Sequence, residues 1–278
     1  MELISRYNNI TKEQGGHCMD LGLQGKVAIV TGASKGIGFC TALQLVKEGA
    51  HVTICARGEK SLQVAAASIK KETGIDVLTI AANMAKEEDC KEVIEKTVKR
   101  YGRLDILINN AGTASANSFE QVSSELWQTD LDLKLFGAVN CAKYAVPHLK
   151  EAGGGSIVNV TAVLAKTPPA NSLPTTVSRA AGLALTKAMS KDLGQYNIRV
   201  NAVCIGLIRS DQIEKRWKDQ ASDLSWDEYS RKVGETIPLG RIGDTEEAAN
   251  VITFLASQAA SYVTGTAVNI DGGSGGAL

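Results

Sequence analysis

The stretch that decides the fold of this chain runs from residue 27 to residue 38 and reads VAIVTGASKGIG. Its first part, residues 27–30, is apolar and rich in β-branched residues, as is typical of a buried strand. The turn that follows carries three glycines before a helical pattern begins at Phe39: Gly32, Gly36 and Gly38. Glycine lets a backbone turn tightly and approach a pyrophosphate, and the N-terminus of the next helix offers free N–H groups to its oxygens. The stretch therefore predicts a strand, a phosphate-binding loop and a helix.

Short apolar runs alternate with helical patterns from this stretch to the end of the chain. One amphipathic helix is predicted over Glu87–Tyr101, where Val93, Ile94 and Val98 lie on one stripe. The apolar runs predict strands at residues 27–30, 52–55, 77–80, 104–108, 156–160, 198–203 and 267–270. Seven buried strands separated by helices predict an α/β fold: a Rossmann-type, doubly wound parallel sheet with helices on both faces.

The bulk composition suits a globular protein with a sizeable core. The chain has 278 residues, 44% of them hydrophobic, and 30 acidic residues balance 30 basic ones. This balance argues against nucleic acid or an anionic membrane as the main partner, and no apolar run approaches the roughly 18 residues of a membrane span. Residues 1–24 are polar and aperiodic and predict a loosely docked tail without a signal-peptide pattern. We expect one domain over residues 25–278 and a cytoplasmic location.

The cysteines and histidines show no spacing that suits a metal or a disulfide framework. The six cysteines include no CxxC pair: Cys18, Cys40, Cys55, Cys90, Cys141 and Cys204. Most lie within apolar stretches, which favours buried, reduced thiols. The three histidines are equally dispersed. No metal site is predicted.

The residue after the second strand indicates which dinucleotide the glycine loop holds. That strand ends at Ala56-Arg57, where a fold selective for NAD places an acid against the ribose 2′-hydroxyl. An arginine suits a 2′-phosphate instead, and Lys35 in the loop adds a second cation. The sequence therefore predicts NADP(H) in preference to NAD(H).

Further motifs accompany the glycine loop at residues 109–112, 201–203, 238–241 and 271–273. In combination they resemble the short-chain dehydrogenase/reductase family, and the resemblance runs from about Leu23 to the C-terminus. Two positions depart from the family pattern: Asn83 replaces an aspartate that touches the adenine, and Ile205 replaces a proline before Gly206. The glycine loop, the end of the second strand and the resemblance together predict the residues that bind the cofactor. They are Gly32, Ser34, Lys35, Gly36, Ile37, Gly38, Arg57, Asn110, Ala111, Gly112, Arg179 and Ile208.

The resemblance also implies a proton-transfer site, and all four of its positions hold other residues. The family's asparagine, serine, tyrosine and lysine fall at Lys134, Ala162, Thr175 and Arg179. In relatives the tyrosine gives a proton to a carbonyl oxygen while hydride arrives from the nicotinamide. The lysine lowers the pKa of that tyrosine and holds the nicotinamide ribose.

The four replacements have different chemical consequences. A threonine alcohol is far less acidic than a tyrosine, so Thr175 is a poor general acid alone. Ala162 offers no hydrogen bond, and Arg179 keeps its charge and can hold ribose hydroxyls. If Lys134 is buried beside Arg179, its pKa falls and it becomes a candidate acid or base. The alternative is an exposed Lys134 that extends from its helix into solvent.

Nearby polar residues complete the list of candidates. Lys166 lies on the loop that, by resemblance, faces the substrate, and Thr161, Ser172 and Ser178 are close in sequence. Thr175 and Thr176 also follow Pro174, as capping residues at a helix N-terminus do. By resemblance, residues 208–231 form a lid over the substrate.

Three functions are compatible with this pattern. The first is an NADP(H)-dependent oxidoreductase that acts on a small carbonyl or alcohol with rearranged proton delivery. The second is a catalytically silent subunit that stabilises or regulates an active homologue, and the third is a lyase or isomerase on the same fold. The resemblance implies a homo-oligomer, tetramer or dimer, or a hetero-oligomer with an active homologue. Its interfaces would use helices around residues 120–150 and 175–193 and the C-terminal strand region.

Overall fold

The computed structural model describes residues 19–277, without the side chains of Asp211 and Gln212. Its strands are β1 (Val27–Thr31), β2 (His51–Ala56), β3 (Leu78–Ala81), β4 (Ile106–Asn109), β5 (Ala116–Asn117), β6 (Gly155–Ala162), β7 (Leu173–Pro174), β8 (Ile198–Ile205) and β9 (Ala267–Ile270). The main sheet has seven strands in the order β3-β2-β1-β4-β6-β8-β9, and all of its neighbours pair in parallel. The two remaining strands, β5 and β7, form a short antiparallel pair that the apolar pattern did not predict.

The helices that connect these strands are α1 (Gly36–Lys47), α2 (Glu59–Thr73), α3 (Glu87–Tyr101), α4 (Ser124–Leu131), α5 (Gly137–Glu151), α6 (Thr175–Leu193), α7 (Asp211–Gln220), α8 (Trp226–Val233) and α9 (Thr245–Ala256). Helix α3 has the predicted bounds. Helix α1 begins at Gly36 rather than at Phe39, because the second half of the glycine loop already forms its first turn.

Alternate residues of β1 point to opposite faces of the sheet, as the period of a strand requires. Ala28 and Val30 belong to a core that also contains side chains of α1, α2 and α9. Val27 and Ile29 belong to a second core, with side chains of α3 and α5. All four strand residues are buried. The predicted doubly wound parallel sheet, covered by helices on both faces, is confirmed.

The predicted tail over residues 1–24 lies mainly outside the described residues. Near its end, Leu23 is buried in the first core, and the N–H of Gln258 donates to the carbonyl of Leu21 at 2.9 Å. Within the described residues, no helix combines the length and apolar character needed to cross a bilayer. The division into a tail and one domain stays a prediction.

The described cysteines are free thiols. Cys55, Cys90, Cys141 and Cys204 are buried, Cys40 is half-buried, and Cys18 lies outside the described residues. Among residues 19–277, no group of histidine, cysteine and acidic side chains is arranged to hold a metal ion.

Candidate active site at the carboxyl edge of the sheet

The glycine loop joins β1 to α1 at the carboxyl edge of the sheet. Gly32 and Gly36 have φ angles of 64° and 59°, which other residues adopt at a cost. Gly38 has a different constraint, since a Cβ there would lie 2.5 Å from Asn110 Nδ2 and 2.6 Å from the Gly32 oxygen. The loop therefore needs glycine for two of its bends and for one close contact.

Asn110 holds the glycine loop from the end of the neighbouring strand β4. Its Nδ2 donates to the carbonyls of Thr31 and Gly32 at 2.9 Å and 3.1 Å. The hydroxyl of Thr31 in turn accepts from the N–H groups of Asn110 and Ala111, both at 3.0 Å. The side chain of Lys35, the N-cap residue of α1, makes no capping bond to the helix. A loop built in this way suits a pyrophosphate at the N-terminus of α1.

The two cations predicted for a 2′-phosphate lie at the same edge. The N–H of Ala33 donates to the carbonyl of Cys55 at 3.1 Å, so the loop lies against the end of β2. Arg57 directly follows that strand, and both it and Lys35 are exposed. Ser34 lies in the glycine loop, and Ile37 lies in the first turn of α1.

Lys134 lies in a π-helical turn, Asp132–Phe136, between α4 and α5. Its side chain is only 3% exposed, so the alternative of an exposed lysine is wrong. The ammonium donates to Asp130 Oδ1 and to Thr175 Oγ1. Two of the four replaced positions, Lys134 and Thr175, are therefore in direct contact.

Asp130 is a member of this site that sequence reasoning missed. It lies in the last turn of α4 and is 4% exposed. One carboxylate oxygen accepts from Lys134, and the other accepts from Ser178 Oγ at 2.6 Å. The available signal was the spacing of Asp130 and Lys134, which are four residues apart and therefore neighbours on a helix.

The surroundings of Lys134 change its acidity. Burial lowers the pKa of its amine below the usual value, the hydrogen bond and the charge of Asp130 raise it, and the positive charge of Arg179 lowers it further. The balance is a lowered pKa, because burial is the largest of these effects. Burial also lowers the pKa of the Arg179 guanidinium, against the opposing charge of Asp130. The ordinary pKa of arginine is so high that Arg179 stays charged near neutral pH.

Arg179 connects the proton-transfer positions to the cofactor end. Its Nη1 donates to the carbonyl of Val160 at 3.2 Å. Its Nη2 faces Gly112, where a Cβ would lie 3.4 Å from it. Arg179 and Lys134 line one cavity together with Thr31 of β1. The role that the resemblance implies for Arg179, which is to hold the nicotinamide ribose, stays a prediction.

Thr175 is the first residue of α6 and is 7% exposed. Its N–H donates to the carbonyl of Ser115 at 3.2 Å, next to the β5–β7 pair that holds this end of the helix. The capping expectation is wrong: no side chain caps α6, and Thr176 Oγ1 donates back to the carbonyl of Ser172 at 3.1 Å. The hydroxyl of Thr175 is instead bonded to Lys134, because the buried ammonium needs an acceptor there.

The other polar candidates serve the fold. Lys166 Nζ donates to the carbonyl of Ala267 at 3.0 Å and to Asn269 Oδ1 at 2.6 Å, so it holds the last strand. Thr161 Oγ1 donates to the carbonyl of Val203 at 3.0 Å. Ala162 is the last residue of β6, and its side chain is a methyl group that forms no hydrogen bond. Ser178 donates a hydrogen bond to the carboxylate of Asp130.

The segment expected to be a substrate lid forms the two helices α7 and α8. The rings of Trp217 and Trp226 meet edge to face at 5.6 Å, and the guanidinium of Arg209 lies 4.3 Å from the Trp226 ring. Arg209 also pairs with Glu214 at 2.7 Å. At the base of the segment, Ile208 is buried. Aromatic and ionic contacts therefore hold the two helices together.

Comparison with known proteins identifies the family of this chain. A family model described as Enoyl-(Acyl carrier protein) reductase matches residues 32–275. Dehydrogenase/reductase SDR family member 4 from Bos taurus is 37% identical over 253 residues, which cover 91% of this chain and 88% of that protein. The chain belongs to the short-chain dehydrogenase/reductase family.

Two solved structures of short-chain dehydrogenases/reductases are especially similar. L-Sorbose reductase from Gluconobacter frateurii, complexed with NADPH and L-sorbose, has a TM-score of 0.87 and 35% identity, over 94% of this chain and 100% of that one. The NADPH-bound short chain oxidoreductase from Pseudomonas aeruginosa PAO1, which contains an atypical catalytic center, has a TM-score of 0.86 and 30% identity, over 91% and 98%. This short-chain dehydrogenase/reductase is thus an oxidoreductase by family, and these two solved relatives hold NADPH.

Proposed function

We propose that this chain is an NADP(H)-dependent oxidoreductase that reduces a small carbonyl compound, or oxidises the matching alcohol, with Lys134 and Thr175 as its proton-delivery pair. The observation that carries the proposal is the buried ammonium of Lys134, bonded to the hydroxyl of Thr175. Thr175 stands where the resemblance places the family's proton donor. In this proposal the pair supplies the proton that the tyrosine supplies in relatives.

The cofactor would be held by groups from the ends of β1 and β2 and from helix α6. The glycine loop and the start of α1 suit the pyrophosphate, and Arg179 suits the nicotinamide ribose. Arg57 and Lys35 favour a 2′-phosphate, hence NADP(H) over NAD(H). When bound, the cofactor supplies or accepts the hydride. The NADPH in the L-sorbose reductase and Pseudomonas complexes supports the same preference.

The proton step needs both members of the pair. In the reducing direction, the hydroxyl of Thr175 gives its proton to the substrate oxygen and takes one from the ammonium of Lys134. Lys134 is left as a neutral amine, which solvent reprotonates. An alcohol alone is too weak an acid for this role. The lowered pKa of Lys134 makes its ammonium a stronger acid than an ordinary lysine.

The test compares the wild-type protein with Lys134→Gln and with a matched control, Lys187→Gln, on the exposed side of α6. Glutamine keeps a hydrogen-bond donor toward Asp130 but holds no acidic proton. We expect the wild-type protein to consume NADPH with members of a ketone and aldehyde panel. Consumption should fall by about 10²- to 10⁴-fold in Lys134→Gln, with NADPH affinity by calorimetry retained. The melting temperature should fall, because the buried carboxylate of Asp130 loses its cation, but should stay above the assay temperature. The control variant should match the wild type.

A second function, a silent subunit that supports an active homologue, is favoured by a specific contact. Lys134 is already engaged in an ion pair with Asp130, and Ala162 offers no group to orient a substrate oxygen. Under this alternative the protein binds NADPH but consumes none with any carbonyl in the panel. The same experiment therefore separates the two functions.

A further inference from the structure

A buried acid lies beside the proton-delivery pair. The side chain of Asp130 is 2% exposed, and that of Lys134 is 3% exposed. A buried ion pair is rarely the most stable arrangement, since apolar side chains of similar volume usually stabilise a protein as well or better. Stability alone therefore does not explain why a carboxylate and an ammonium are placed here.

The carboxylate is held from two separate parts of the chain. Lys134, from the π turn, donates to Oδ1, while Ser178, from α6, donates to Oδ2 at 2.6 Å. Ser178 Oγ also lies 3.1 Å from the carbonyl oxygen of Thr175. With both oxygens bonded, Asp130 has one orientation, and that orientation directs the ammonium of Lys134 toward Thr175.

We propose that Asp130 is a positioning residue of the proton-delivery site: its carboxylate holds the ammonium of Lys134 against the hydroxyl of Thr175 and keeps Lys134 protonated. This inference rests on the proposed function. Asp130 touches neither the substrate nor the cofactor in this role, and it acts through Lys134 alone.

The charges around Lys134 determine in which direction its pKa moves when the charge of Asp130 is removed. Asp130, from α4, raises the pKa of the lysine, and Arg179, from α6, lowers it. The thiol of Cys141, from α5, lines the same cavity, but its pKa is raised well above the usual value, so it stays neutral. Without the carboxylate, burial and Arg179 act unopposed. The pKa of Lys134 must then fall further.

The experiment uses Asp130→Asn, which keeps the shape and removes the charge. In the reducing direction the rate falls as pH rises through the pKa of Lys134, because the ammonium is the acid. We expect Asp130→Asn to move this decline to lower pH and to lower kcat at neutral pH by up to about a hundredfold, with little change in the KM for NADPH. Asp130→Glu, which restores the charge on a longer stem, should recover part of the shift.

The matched control is Asp132→Asn, the same substitution two residues further on, where the carboxylate faces Gln128 at 2.6 Å instead of Lys134. It should leave the pH profile unchanged. An unmoved profile in Asp130→Asn, with only a lower melting temperature, would overturn the proposal and leave Asp130 a structural residue.

A second readout separates this inference from the proposed function. In protein labelled with ¹³C-lysine, the titration of Lys134 is followed by NMR and assigned with Lys134→Gln. A lower titration midpoint in Asp130→Asn supports the role of Asp130 even where no carbonyl substrate is turned over, which would count against the proposed function alone. An unchanged midpoint contradicts the inference whatever the activity.

Discussion

At the scale of single residues, the proposed mechanism replaces the tyrosine of relatives by two groups that act together, Thr175 and Lys134. In that mechanism the hydroxyl of Thr175, itself a weak acid, meets the substrate, and Lys134, which bonds that hydroxyl, is the stronger acid. Lys134 in turn is buried only because Asp130 compensates its charge. The replacements at these positions are therefore coupled, since each would be unfavourable without the others.

This coupling predicts the effect of Thr175→Val. Valine has nearly the same shape but no hydroxyl, so the ammonium of Lys134 loses its route to the substrate. We expect kcat to fall by about 10²- to 10⁴-fold, with NADPH affinity retained, as measured by NADPH consumption and calorimetry. Thr176→Val is the matched control, since that buried hydroxyl bonds the carbonyl of Ser172. It should cost only about 1 kcal/mol of stability, and a comparable loss of activity there would contradict the specific role of Thr175.

At the scale of elements, parallel strands bring the binding groups to one edge of the sheet. The turns after β1, β2 and β4 carry the glycine loop, Arg57 and Asn110, and the loop contacts both neighbouring turns. The π turn between α4 and α5 also brings a side chain into the candidate site. Such turns occur often at functional sites, and this one places Lys134 within reach of α6.

The arrangement at the end of β2 predicts the cofactor preference. Arg57→Ala removes the cation beside the expected 2′-phosphate. A charge-assisted hydrogen bond between the two contributes about 1.5–3 kcal/mol to the free energy of binding. NADPH should bind roughly 10- to 100-fold more weakly, while NADH binding should not change. Arg100→Ala, an exposed arginine at the end of α3, is the control. Equal losses for NADPH and NADH in Arg57→Ala, measured by calorimetry, would show that Arg57 does not read the phosphate.

At the scale of the whole molecule, apolar side chains remain exposed near the helices that the resemblance assigns to subunit contacts. Phe119 is 75% exposed, Phe136 is 46% exposed and Val177, on α6, is 45% exposed. A second copy of this chain is the partner that the resemblance implies.

The resemblance predicts self-association that a single charge on α6 weakens. Val177→Glu places a carboxylate in the expected interface, where burial without a partner is costly. The mass measured by sedimentation velocity should fall toward that of a smaller oligomer or the 29.4 kDa monomer. Val64→Glu, at a 68% exposed valine of α2, should leave the mass unchanged. An unchanged mass in Val177→Glu would remove α6 from the interface.

The sequence by itself determined the sheet, the glycine loop and the family, because those signals are local. Strand periodicity, the glycines that bend the loop and the motifs at strand ends each act over a few neighbouring residues. Only the tertiary structure decided that Lys134 is buried, that Thr175 bonds it rather than capping α6, and that Lys166 holds the last strand. It also supplied Asp130, whose partner Ser178 is 48 positions away. Burial and such distant pairings depend on how α4 and α6 pack against each other, and a local pattern does not contain that information.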